Sequence, residues 1–238
     1  LITEATYGVN DHPDREDVEE EFVSFAKDVT ERGGTLLVPA FAVGRSQEIA
    51  CVLKSHNYSL PVAMDGMALK TNRILLENLE FLGDSKLFKQ MINGLTEAKN
   101  WKQRKEIMNT PGVIIVPAGM MVGGLSSYYK GSIAMNEKNA ISLVSYQAEG
   151  TPGRTLLEKK MIKVDGKLKK IKGKFEHFNF SSHSGSKQLF EMIDGIKGNP
   201  TIVAVHGEEE QATSFVQKVQ KDYGYDAIAP ELGDKIII

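Results

Sequence analysis

Two residues suited to proton transfer or metal binding stand at the ends of apolar runs, and a third lies in a polar loop. Glu4 closes Leu1-Ile2-Thr3 and is followed by Thr6-Tyr7-Gly8, and His206 closes Ile202-Val203-Ala204-Val205 and is followed by Gly207 and Glu208. An apolar run that stops at a polar residue reads as a buried strand entering a loop, and in open α/β sheets ligands sit at such strand ends. A carboxylate there can orient an imidazole or a bound water, and an imidazole there can ligate a metal or carry a proton. The plain alternatives are an exposed Glu and a His that caps its strand. His183 lies in Asn179-Phe180-Ser181-Ser182-His183-Ser184-Gly185-Ser186, a hydroxyl-rich loop. Such a loop either presents N–H groups and an imidazole to a phosphate or caps the helix that follows. Arg45 in Gly44-Arg45-Ser46 and Arg154 in Thr151-Pro152-Gly153-Arg154 each sit beside Gly in an expected turn, where a guanidinium fork suits a phosphate; structural ion pairing is the competing reading. None of the five histidines shows His-x-His or His-Glu-x-x-His spacing, and the glycines of 119–124 fail the dinucleotide-binding pattern.

The elements that must hold these residues follow from periodicity. Val18, Phe22, Phe25 and Val29 recur at helical spacing, with Asp14 as the cap and Gly33-Gly34 as the stop. Thr35 to Pro39 reads as a buried strand, a helix runs from near Arg45 to before His56, and Leu60 to Met64, Val113 to Val116 and Ile141 to Ser145 continue a strand-helix-strand alternation that implies a parallel sheet. Residues 66 to 109 read as mostly helical. Alternating Lys and apolar residues from Lys159 to Lys174 around Asp165-Gly166 predict a hairpin with a basic face, which either gathers a polyanion or is a Lys-protected edge. Lys187 to Ile196 reads as helix, Thr201 to Val205 as strand, Glu208 to Tyr223 as helix and Lys235 to Ile238 as a last strand.

Composition bounds what such a chain does. With 29 Lys+Arg against 31 Asp+Glu and a net charge of −2 it carries no uniformly basic coat, so a polyanion must be bound locally. The longest apolar runs are strand-sized, the single Cys51 can form no internal disulfide, and no leader is evident, which together predict a reducing, cytoplasmic setting. Because Leu1 begins inside an apolar run, the chain is expected to be part of a longer protein.

Six segments in order then resemble one family, the β-CASP branch of the metallo-β-lactamase superfamily of RNA-processing nucleases. They are Glu4-Ala5-Thr6-Tyr7-Gly8, Val38 to Glu48, Ala118 to Met121 with Gly123-Gly124, Tyr146 to Arg154, Phe180-Ser181-Ser182-His183, and Val205-His206-Gly207-Glu208. The likeness is greatest to the archaeal and eukaryotic cleavage and polyadenylation specificity factor endonucleases. It implies an α/β fold: an inserted β-CASP domain with a Rossmann-like parallel sheet at residues 9–176, and residues 1–8 with 177–238 as the C-terminal part of a metallo-β-lactamase αββα sandwich. It also implies that Glu4 is the motif A acid and His183 the motif B histidine, serving proton transfer to the leaving oxygen, and that His206 is the motif C histidine, a zinc ligand whose identity points to RNA. The implied activity is zinc-dependent endoribonuclease action in mRNA 3′-end processing, with two zinc ions, single-stranded RNA as substrate, possible 5′ exonuclease action, and a homodimer or processing complex as partner. The family's His-x-His-x-Asp-His run, a further zinc His and a bridging Asp precede motif A, so residues 1–238 alone are expected to be inactive. A non-catalytic RNA-binding family member is the alternative, and a nucleotide-binding α/β domain a more distant one. The chain departs from the family at Ala5, at Pro117-Ala118, and at Gly185, where many members have Asp.

Overall fold

The computed structural model describes residues 1–236, and the chain folds into two compact units, Asp14–Phe180 and Leu1–Pro13 with the segment from Ser181 onward. The larger unit is built on a six-stranded sheet in the order β4-β3-β5-β2-β6-β9, comprising β2 (Thr35–Pro39), β3 (Val62–Asp65), β4 (Leu95–Ala98), β5 (Gly112–Val116), β6 (Ala140–Leu143) and β9 (Lys174–His177). Every pairing in it is parallel. Strands β2, β5 and β6 are buried along their whole length, as β-branched and leucine-rich runs covered on both faces should be.

Helix α1 (Arg15–Glu31) starts where the Asp14 carboxylate accepts the Glu16 N–H, and it buries Val18, Phe22, Val23, Ala26 and Val29. Together with α2 (Arg45–Ser55) and α3 (Met67–Leu76), it covers one face of the sheet around Leu36, Val38, Met64, Val113 and Ile115. On the other face, α6 (Gly124–Ala134) and α7 (Pro152–Lys159) cover Leu37, Ile114, Val116 and Ile141 through Tyr129, Ile133 and Leu156. The alternation of strand and helix is therefore the doubly covered parallel layer expected from the sequence.

Four details differ from the reading of the sequence. Residues 66–109 are interrupted by β4, whose Leu-Thr-Glu-Ala run sits between helices α4 (Ser85–Gly94) and α5 (Trp101–Met108) and takes strand geometry because β3 offers it a free edge. Gly124–Ala134 is a helix not expected from the sequence, and the turn expected at Thr151 to Arg154 opens a helix, Pro152–Lys159, with Pro152 as a first-turn proline behind the Thr151 cap, which accepts the Arg154 N–H. The predicted hairpin exists as β7 (Met161–Val164) and β8 (Lys167–Lys170), but Lys174 and the residues after it leave it to join the main sheet beside β6. Phe178 and Phe180 then pack edge-on against Phe22, which places the unit boundary a few residues beyond the expected one.

The smaller unit holds a three-stranded parallel sheet, β1 (Ile2–Glu4), β10 (Ile202–Val205) and β11 (Ala227–Ile228), in the order β1-β10-β11. Helices α8 (Ser186–Asp194) and α9 (Glu209–Tyr223) bury Leu189, Ile193, Phe215 and Val219 against Ile202 and Ala204. The last strand of the unit is β11; of the strand expected at Lys235 to Ile238, residues 235–236 are irregular and 237–238 lie outside the described residues. Among the described residues no helix is long and apolar enough to cross a membrane.

Candidate metal and acid-base site

Parallel pairing of β1 with β10 sets Glu4 opposite Val205, so that both strands end side by side and deliver Glu4 and His206 to one spot. The register is held past the strand ends, since the Ala5 N–H reaches the carbonyls of Val205 and His206 at 3.0 and 3.1 Å. His206 itself has φ of 53°, a left-handed conformation that costs a residue with a Cβ of order 1–3 kcal/mol and persists only where the surroundings impose it. The surroundings are evident at Gly207, where a Cβ would lie 2.6 Å from the Ala5 carbonyl oxygen, so the chain must turn before a side chain is met.

His183 arrives from the segment that leads into α8. Its Nδ1 lies 3.0 Å from Glu4 Oε2, and because a carboxylate accepts, the imidazole donates from Nδ1 and leaves Nε2 open. The other Glu4 oxygen, Oε1, accepts the Ser184 N–H at 2.9 Å, and Oε2 also accepts the Thr6 N–H at 3.1 Å. Burial pushes Glu4 upward, but the hydrogen bonds from Thr6 and Ser184 and the neighbouring His183 outweigh it and hold the carboxyl below the usual carboxylate range. Glu4 is therefore an ionised acceptor with both oxygens engaged, an orienter of His183 in character.

His206 is oriented by a different partner. Thr6 Oγ1 lies 3.1 Å from His206 Nδ1 and donates to the His206 carbonyl at 3.2 Å. With its hydrogen spent on an acceptor, the hydroxyl oxygen receives the Nδ1 hydrogen, and Nε2 is left unprotonated, the tautomer a metal ligand needs. The two imidazoles stack with centroids 4.9 Å apart and 27° between planes, and one donor atom from each of Glu4, His183 and His206 falls within 4.8 Å of the others. The donor set thus fits a metal such as zinc, and the Nε2 atoms of both imidazoles are left open by the bonds to Nδ1.

The structure brings together the two strand-end residues, Glu4 and His206, and His183 of the hydroxyl-rich loop. Thr6, which fixes the His206 tautomer, is absent from the residues that strand ends pick out, although a hydroxyl two residues after a strand-end Glu is the signal that marks it. The two arginines belong to the larger unit and are occupied there. Arg45 is largely buried, ion-paired to Glu48 at 2.5 Å and set over the Phe180 ring at 6.0 Å, and its burial pulls its pKa down. Arg154 is about one-third exposed and pairs with Glu158 at 2.6 Å, one turn along α7.

The motif segments of the larger unit tie its loops to one another. Ser46 Oγ donates to the Phe41 carbonyl at 2.7 Å, the buried Gln47 amide donates to Asn72 Oδ1 at 2.8 Å, and the Gln147 amide donates to the carbonyls of Gly119 and Ser145 at 3.1 and 2.8 Å. The Ser46 and Gln147 bonds close loops that follow buried strands, and the Gln47 bond joins α2 to α3.

A parallel α/β layer with an accompanying small unit that pairs a carboxylate-held imidazole with a hydroxyl-held one defines a class of metallo-hydrolase scaffold. Residues 46–156 match the Beta-Casp domain and residues 169–230 match the Zn-dependent metallo-hydrolase RNA specificity domain, and the chain belongs to the β-CASP family. It is 41% identical over 236 residues to RNase aCSPSF2 of Saccharolobus solfataricus, a match covering 99% of this chain and 48% of that protein. It is 37% identical over 245 residues to probable RNase MJ4 of Methanocaldococcus jannaschii, covering all of this chain and 56% of the relative. It is also 35% identical to transcription termination factor FttA of the same organism, over 97% of this chain and 40% of that protein. The chain spans about half the length, or less, of these curated relatives.

Proposed function

We propose that the protein is a zinc-dependent ribonuclease that hydrolyses phosphodiester bonds in single-stranded RNA during RNA processing, with mRNA-type 3′-end cleavage as its setting in the cytoplasm. The observation that carries the reading is the pair of differently held imidazoles, His183 on Glu4 and His206 on Thr6. A zinc ion held there would supply Lewis-acid activation of the scissile phosphate and of the attacking water. His206 would hold it through Nε2. His183, held through Nδ1 by Glu4, keeps Nε2 available to protonate the departing ribose oxygen, and Glu4 stabilises the positive charge His183 carries before that transfer. In this reading the unit of Leu1–Pro13 with the segment from Ser181 onward is metallo-β-lactamase in type, and Asp14–Phe180 is the inserted β-CASP domain. A homodimer or a processing complex is the expected working form.

A test follows from the ligand count. In this division of roles His206 is the one metal ligand of the trio Glu4, His183 and His206, whereas catalytic zinc sites use about three protein ligands. The polypeptide of residues 1–238 by itself is expected to hold no stoichiometric zinc and to cut no RNA. Elemental analysis after metal-free purification and zinc reloading checks this, and two tightly held ions per chain would overturn the assignment of ligands.

The RNA-backbone interaction proposed for the larger unit rests on Arg154 rather than Arg45. Arg154→Gln is expected to weaken RNA binding across sequences and to lower the salt slope of affinity by about one, the value for a single phosphate no longer neutralised. Arg45→Gln is expected to leave the slope unchanged and lower the thermal unfolding temperature, because it removes a buried ion pair and the packing on Phe180. Titrating affinity against salt for both variants, alongside melting curves, separates the two roles.

A further inference from the structure

Three consecutive residues outside the acid-base pair grip the backbone that carries His183. The Asn10 carbonyl accepts the Ser186 N–H at 2.9 Å, Asp11 Oδ1 accepts the Lys187 N–H at 3.0 Å, and His12 Nε2 lies 3.1 Å from the His183 carbonyl oxygen. A carbonyl only accepts, so the His12 imidazole donates. Its ring is braced edge-on by Tyr7, with centroids 5.4 Å apart and planes at 81°.

The fit of this loop against the His183 segment is close. A Cβ at Gly185 would lie 2.5 Å from Asp11 Oδ1, so the lack of a side chain at 185 is what lets the Asp11 carboxylate reach the first turn of α8. Asp11 there satisfies one of the unpaired N–H groups of the helix start and places negative charge at its positive end. The His183 N–H is taken by Ser181 Oγ at 3.2 Å, and the ring by Glu4. The backbone carbonyl of His183 is taken by His12.

We infer that His12 is a positioning residue for His183: by donating from Nε2 to the His183 carbonyl, with Asp11 and Asn10 anchoring the segment that follows, it fixes the backbone from which the proton-carrying imidazole projects. Glu4 orients the ring and His12 orients its base. This rests on the ribonuclease reading for its kinetic consequence, but not for its structural one. A shift of the reacting imidazole by a fraction of an ångström is felt in the chemical step, since near-attack geometry is narrow.

The experiment uses the protein at its natural length and two variants. His12→Phe keeps the ring and its edge-on packing with Tyr7 but has no donor, while His12→Gln keeps an N–H of similar reach. His12→Phe is expected to lower kcat on RNA about tenfold, with KM and zinc content as in the wild type, and His12→Gln to restore most of the loss. Carbethoxylation of His183, mapped by mass spectrometry, should be faster in His12→Phe than in the wild type and close to wild type in His12→Gln. Wild-type kcat and wild-type His183 reactivity in His12→Phe would overturn the proposal, as would equal losses in both variants, which would show that ring shape rather than the donor matters. If the wild type itself cuts no RNA, the ribonuclease reading falls, and His183 reactivity across the variants still decides whether His12 positions it.

Discussion

His206→Ala in the protein at its natural length is expected to lose bound zinc and RNA cleavage together, whereas His183→Ala keeps its zinc and loses cleavage by roughly 10²–10⁴, the range for a general acid. The two imidazoles are close neighbours in a stack, so distance alone does not distinguish them. Their hydrogen-bond partners differ: Thr6 receives the Nδ1 hydrogen of His206 and the ionised Glu4 receives that of His183, and the proposed division of roles gives proton transfer to the carboxylate-held ring. Zinc content by elemental analysis and kcat under single-turnover conditions read the two roles separately. Equal zinc loss in both variants would show that His183 also ligates. Loss of cleavage with full zinc in His206→Ala would reverse the assignment.

The site was legible in the sequence to the extent that strands announce their ends. Glu4 and His206 close apolar runs, but their convergence came from the order of the family motifs, and the parallel pairing of β1 with β10 across about 200 residues is what the structure adds. From its local residues His183 read as part of a hydroxyl-rich loop, and only the motif resemblance joined it to Glu4, because no periodicity specifies that this loop runs beside Glu4; the bond from Ser184 N–H to Glu4 spans 180 residues of chain. His12 was invisible for the same reason. In the larger unit α1 and β2 were plain, since four apolar residues at helical spacing and a five-residue buried run have no competing interpretation. Helix α6 was hidden by Gly123 and Gly124, both at positive φ, which read as a turn because they are one, placed immediately before and at the helix start. Gly153 misled in a similar way: it is glycine because a Cβ would collide with the Gln147 side chain, a tertiary demand made inside a helix. Strand β4 owes its conformation to the edge of β3 rather than to its own residues.

Asp65→Ala is expected to destabilise the larger unit by about 3–5 kcal/mol, the cost of breaking a buried ion pair from one side. Asp65 is fully buried at the end of β3, and all of its acceptor capacity is spoken for. Oδ1 accepts the Gly66 N–H at 2.7 Å and Arg104 Nη2 at 3.0 Å, while Oδ2 accepts Arg104 Nε at 2.7 Å and the Tyr129 hydroxyl at 2.8 Å. The three partners come from the loop after β3, from α5 and from α6, so one carboxylate ties two neighbouring helices to the strand end. Removing it leaves the Arg104 guanidinium, largely sheltered and stacked on Trp101 at 4.6 Å, without its counter-charge, and leaves the buried Tyr129 hydroxyl without an acceptor. Burial and the Asp65 carboxylate together push the Tyr129 hydroxyl well above its ordinary range, so it stays protonated and donates throughout the accessible pH. Replacing both ionic partners should be milder than removing one: Asp65→Leu combined with Arg104→Met trades the pair for apolar volume and is expected to recover much of the loss, since the penalty lies in the orphaned charge rather than in the pair's net worth. Urea unfolding followed by a signal from the larger unit measures this. A double variant no more stable than Asp65→Ala would show that the geometric tie among β3, α5 and α6, and not the unpaired guanidinium, is what the carboxylate supplies.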